Sequence, residues 1–146
     1  MSKSRQEVFN YALAQAVALI SDSELSSKRK DYLIRKITEM NNEVEECEPD
    51  DLPVNVDSVQ TFISALAVSH CDTLPSLGMD YYGNILAAWY QNEFKDHVDF
   101  RYMPDDKVSW LFSYHKPDGT KLVKVGEGAS QTIKESLSPY PYVSWF

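Results

Sequence analysis

Basic residues are scarce. Lys and Arg number 14 against 22 Asp and Glu, a formal net charge of −8 over 146 residues, with a pI near 4.8. That balance argues against general binding to nucleic acid or to an anionic membrane, both of which call for a basic face. It allows a basic protein partner. Long apolar runs are missing as well, and none reaches the length that spans a bilayer. Two positive charges open the chain at Lys3 and Arg5, but Gln6, Glu7, Asn10 and Gln15 follow at helical spacing. The segment is therefore an amphipathic helix and not the core of a signal peptide. Cysteine is nearly absent: Cys47 and Cys71 stand alone, with no metal-ligand spacing. Free thiols of a cytoplasmic protein are the expectation. There is no glycine-rich phosphate loop and no Gly-x-Ser-x-Gly.

What remains is an ordinary globular composition, 43% apolar and 25% charged. It suits a single domain over 1–146, long enough for a core. The chain is organised around the stretch from Asn84 to Val125, where four strands are predicted at about 84–90, 97–103, 107–114 and 121–125. Val98, Phe100 and Tyr102 alternate with Asp99 and Arg101, the period of a half-buried strand. Val108, Trp110, Phe112 and Tyr114 point to one face, and Lys107, Ser109, Leu111 and Ser113 to the other. Pro104-Asp105-Asp106 and Pro117-Asp118-Gly119 supply turns. Connections this short give an antiparallel meander. Its aromatic face needs a cover, and helices provide it.

Helices are expected over about 5–20, 27–45 and 57–70. Ser4 and Glu7 form a capping box, and Phe9, Leu13, Ala16 and Ile20 make one apolar stripe. Leu33, Ile37, Met40 and Val44 make the second stripe. Asp57, with Gln60 three residues on, is taken as the third N-cap, ahead of Val59, Phe62, Ile63 and Leu66. Residues 73–78 read as loop, and Gly126-Glu127-Gly128 as a flexible joint before a short helix over about 130–137. From the end of the second helix towards the third runs the most charged piece: Glu43, Glu45, Glu46, Glu48, Asp50 and Asp51. It reads as a mobile acidic linker, or as a phosphate-mimicking surface for a basic groove. The tail from Ser138 is extended by its prolines and unusually aromatic, with Tyr140, Tyr142, Trp145 and Phe146. It either docks on its own domain or binds a partner.

Signals for catalysis are sparse. His70-Cys71-Asp72 gathers the right residue types, but neighbours on a helix do not face one another. A Cys71 nucleophile needs a base from elsewhere, such as His97 or His115. His70, Cys71, His97 and His115 lack the short spacing of metal ligands. Asp105 and Asp106 lie in a turn, where exposure leaves little to perturb them. The aromatics of the sheet lack the surrounding Lys and Arg of a nucleic-acid stacking platform, so they read as core.

Leu74-Pro75-Ser76-Leu77, then Asp80-Tyr81-Tyr82-Gly83-Asn84-Ile85-Leu86-Ala87-Ala88-Trp89, then the strands at Val98 to Met103 and Val108 to Phe112, form one pattern. It resembles uncharacterised small bacterial proteins, often of mobile elements, with Pro-x-Ile followed by Asp-Gly-x-Ile-x-Leu-x-Trp and two further strands. Here two tyrosines split the Asp-Gly pair, and Ala88 precedes the Trp. The resemblance implies a protein that works by binding another macromolecule, and it carries over no catalytic residue. The expectation is thus an α+β domain: N-terminal helices on a four-stranded antiparallel meander, then a short helix and the aromatic tail. It is expected to be a non-enzymatic acidic protein that inhibits or neutralises a basic protein partner, antitoxin-like or anti-defence (anti-CRISPR-like), with nucleic-acid mimicry as one route. Its contacts would be Glu43, Glu45, Glu46, Glu48, Asp50, Asp51, Tyr140, Tyr142, Trp145 and Phe146. No cofactor, metal, nucleic acid or membrane is expected to take part. The alternatives are a small hydrolase or thiol enzyme using Cys71 and His70, and a structural subunit of an oligomer.

Overall fold

Ser4 opens the first helix, its hydroxyl accepting from the Glu7 N–H at 3.1 Å. A computed structural model describes residues 4–67, 74–91, 93 and 95–137. Helices α1 (Arg5–Asp22), α2 (Ser27–Cys47) and α3 (Val56–Ala67) precede strands β1 (Ser76–Met79), β2 (Ile85–Gln91), β3 (Asp96–Met103), β4 (Lys107–His115) and β5 (Lys121–Ala129). A 3₁₀ turn (Ser130–Thr132) and α4 (Ile133–Leu137) follow. The predicted stripes face inward: Phe9, Ala16 and Ile20 on α1, Leu33 and Ile37 on α2, and Val59, Phe62, Ile63 and Leu66 on α3 are buried.

The strands form one antiparallel sheet in the order β1-β2-β3-β4-β5. This corrects the count of four. Pro75 and Gly78 made residues 73–78 look like loop, yet Ser76–Met79 pairs with Ile85 to Ala88 through the turn at Asp80. That turn is closed by the Asp80 carboxylate, which accepts from the N–H groups of Tyr82 and Asn84, both at 2.9 Å. Gly126-Glu127-Gly128 is not a joint either: it lies within β5, paired with Val108 to Trp110. The N-cap of α3 also moves. The helix starts at Val56, and the Asn55 side chain, not Asp57, accepts the Ser58 N–H at 3.1 Å.

One face of the sheet carries Ile85, Ala87, Trp89, Val98, Phe100, Tyr102, Val108 and Phe112, all buried. α3 lies on it at β2 and β3, with the Phe62 and Tyr102 rings 4.7 Å apart. Burial raises the Tyr102 hydroxyl above the ordinary tyrosine range. Ser58 fixes α3 to the ladder. Its hydroxyl donates to the Tyr102 carbonyl and accepts from the Ile85 N–H at 2.8 Å, so one side chain bridges the paired residues of β2 and β3. The helical cover expected for the aromatic face is present.

Trp110 stacks on Phe112 at 5.3 Å and lies over Gly126, where an added Cβ would come within 2.1 Å of the indole. Gly126→Ala must displace that ring. We expect a loss of about 1–3 kcal/mol, the usual range for overpacking, read as a lower urea midpoint with a shifted tryptophan emission. An unchanged midpoint would mean that the indole moves aside freely.

Candidate binding surface

The register fixes what the opposite, outer face presents. One cross-strand row is Tyr90, His97, Ser113 and Val123; the next is Ser76, Ala88, Asp99, Leu111 and Val125; the third is Gly78, Leu86, Arg101, Ser109 and Glu127. A groove of about 620 Å³ runs over the second and third rows, a volume in the usual range for ligand sites. Leu86, Ala88 and Leu111 supply apolar floor, and Asp99 and Arg101 the polar groups at its centre. Arg101 Nε sits 3.5 Å from the Asp80 carboxylate. Outside the groove's lining, Lys107 meets Glu127 at 2.9 Å. That hydrogen bond, with the carboxylate's charge, raises the Lys107 ammonium above the ordinary lysine range.

Beside the groove two histidines each face a carboxylate. His97 Nδ1 lies 2.9 Å from Asp99 Oδ2, and His115 Nδ1 lies 2.9 Å from Asp96 Oδ1. Asp96 also accepts the His115 N–H at 2.9 Å. Only the His115 pair is aligned as a hydrogen bond, and there the aspartate at Nδ1 orients the imidazole with Nε2 outward; His97 Nδ1 is near Asp99 but off the hydrogen-bonding direction. Ser113 stands directly across from His97, but its hydroxyl is buried and bonded to nothing among the described residues. No Ser–His hydrogen bond is formed, so the three do not make a nucleophile and base pair here. Among the described residues, no three His, Cys, Asp or Glu side chains cluster to hold a metal. Likewise, none of their helices is long and apolar enough to cross a membrane.

The acidic stretch is placed differently from its expectation as a mobile linker. α2 runs on through Glu43, Glu45 and Glu46 to Cys47, and its end is clasped by Arg5. The guanidinium donates to the carbonyls of Val44 (3.1 Å), Glu45 (3.3 Å), Glu48 (2.7 Å), Pro49 (3.2 Å) and Asp51 (3.4 Å). It also lies 4.4 Å over the Phe9 ring. A helix C-terminus leaves its last carbonyls without intrahelical partners and carries partial negative charge. One planar cation answers both needs. It also sets the start of α1 against the end of α2, so the two helices run antiparallel. Glu43, Glu46, Glu48 and Asp50 are exposed on this fixed end, while Glu45 and Asp51 are half-buried. The other residues predicted to act, His70, Cys71, Tyr140, Tyr142, Trp145 and Phe146, lie outside the described residues.

The sequence reading missed the Arg5 clasp and the outer groove. The groove left one signal: Leu111 stands between Ser109 and Ser113 on a face otherwise assigned to polar residues. The clasp left none, because its partners are 39 to 46 residues away. No family model, curated protein or solved structure matches this chain.

Proposed function

We propose that the chain is a non-enzymatic protein that binds a basic protein partner and inhibits or neutralises it, in the manner of an antitoxin or an anti-defence protein. The clasp of Arg5 on the end of α2 carries this reading. Glu43, Glu46, Glu48 and Asp50 are exposed on the backbone around it, and in this reading they act together as an acidic surface. Fixed charges lose less entropy on docking than charges on a loose loop. They also raise the rate of encounter with a cationic surface. The net charge of −8 acts in the same direction over longer range. The groove on the outer face, with Leu86 and Leu111 in its lining, offers the apolar contact that a purely charged surface lacks.

A pull-down with the purified chain tests this. The captured partner is expected to be basic and to elute as salt rises, since screening acts within about 10 Å at 0.1 M. Reversing Glu43, Glu46, Glu48 and Asp50 to Lys is expected to weaken capture about 100-fold or more, with helix content unchanged. Arg5→Ala keeps every carboxylate but frees their backbone. It is expected to cost about 1–3 kcal/mol of stability, the worth of hydrogen bonds to a charged donor, and to speed amide exchange at Glu48 and Asp51. Capture that ignores both salt and the reversals would remove the electrostatic basis of the proposal.

A further inference from the structure

β5 is the last strand of the sheet, and its outer edge meets no other strand among the described residues. It is nine residues long, and an edge of that length presents backbone N–H and C=O groups ready to pair with another strand. Two apolar side chains sit bare on it: Val123 is 49% and Val125 70% exposed. Val125 is the middle residue of Lys121–Ala129.

From the pattern along this edge, we infer that β5 pairs antiparallel with β5 of a second copy, about a two-fold axis through Val125. The strand is complementary to its own reverse. With the pivot at Val125, that side chain meets the partner's Val125, and Val123 lies across from the stem of the partner's Glu127. Lys121 is then diagonal to the partner's Glu127, within reach of an opposite-charge contact. Lys124 lies opposite the partner's Gly126, where there is no side chain to oppose it. The nearest alternatives that keep each face in register are worse. A pivot at Lys124 sets two ammonium groups directly opposite, and like charges in that position destabilise. A pivot at Gly126 takes Val125 away from its twin and places it against a carboxylate. Lysines on an edge strand commonly discourage pairing. In the favoured register both lysines are accommodated, one beside an acid and one across from a glycine. The result joins two five-stranded sheets into one, and the isologous contact is of the kind that closed dimers use.

Cysteine placement tests the register itself. Directly opposite residues in antiparallel strands have Cα atoms about 4.5–5.5 Å apart, inside the range a disulfide spans. Val125→Cys is expected to give a covalent species of twice 16.7 kDa under mild oxidation. Val123→Cys, offset from its twin by four residues and so by roughly 13 Å, should stay at the level of wild type, whose Cys47 and Cys71 set the background. In sedimentation the wild-type mass should rise with concentration towards the dimer. Val125→Lys, at an exposed position that leaves the fold intact by circular dichroism, should raise the midpoint about tenfold or more, the effect of about 1.4 kcal/mol. A wild type that stays monomeric at every concentration, or cross-linking of Val123→Cys as fast as Val125→Cys, overturns the inference.

Discussion

Gly83→Ala is expected to be the most damaging single substitution in the described part of the chain, costing about 3–5 kcal/mol. Two effects add. Gly83 has φ of 81°, a left-handed conformation that penalises any Cβ by about 1–2 kcal/mol. Its backbone is also pressed against the segment leading into α3, so that an added Cβ would come within 1.9 Å of the Pro53 carbonyl oxygen. Backbone cannot rotate away as a side chain does, so the two segments must separate. Separation threatens the Asn55 N–H to Gly83 carbonyl bond at 2.9 Å and the Leu52 N–H to Tyr81 carbonyl bond at 3.2 Å. These tie the β1–β2 turn to the entry of α3. Small domains hold about 5–15 kcal/mol in all, so the variant should unfold at a much lower urea concentration, with the slope unchanged. Gly119→Ala is the control. Gly119 has a similar φ of 88°, but among the described residues nothing lies within 4 Å of where a Cβ would sit. It should lose only the conformational part, about 1–2 kcal/mol. Equal losses at both positions would show that close approach to Pro53 contributes nothing.

The same comparison explains which parts of the fold were legible. A glycine just ahead of the strand at Asn84 is legible as a turn residue, because turn chemistry is local. The contact of Gly83 with Pro53 is not, because that depends on how the turn meets the loop before α3. The helices and the middle strands could be read because their apolar periods repeat over several residues and answer to burial alone. β1 could not: it has four residues, SLGM, and exists because the Asp80 turn folds it back onto β2. Gly126 and Gly128 looked like a joint, since glycine is depleted in strands. In the structure, Gly126 leaves the space that Trp110 fills. The acidic run was read from its own composition as mobile. Its order comes from Arg5, and no local rule reaches that far along the chain. Alternation assigned Leu111 to the outer face correctly. What it could not supply was its neighbours, since Ala88, Leu86 and Val125 join it only through the register of four strands.

Asn41 is where loss of polar satisfaction, and not of space, should cost the most. It is fully buried in a helix whose other buried positions are Leu33 and Ile37, and Met40 was expected to carry the stripe there. Its amide donates to the Phe9 carbonyl at 3.1 Å, and its oxygen accepts the Val54 N–H at 3.0 Å. One side chain thus joins α1, α2 and the approach to α3. Asn41→Leu matches the volume but leaves the Val54 N–H without a partner, with Val54 itself only 2% exposed. An orphaned buried donor costs about 1–3 kcal/mol, and the lost contact to Phe9 adds to it. We expect about 2–4 kcal/mol in total. Asn41→Asp separates the two bonds. A carboxylate still accepts from Val54 but repels the Phe9 carbonyl, and burial without a cation raises its pKa above the unfolded value of about 3.9. The folded state then binds a proton that the unfolded state releases. Relative to wild type the variant is therefore least destabilised below about pH 4, where the protonated acid can donate to Phe9 as the amide did, and the deficit grows as pH rises through the folded pKa. Asn41→Leu should show no such added slope relative to wild type. If the deficit of Asn41→Asp against wild type is the same at neutral pH as in acid, its carboxylate has reached water, and Asn41 does not clamp the three segments as the geometry requires.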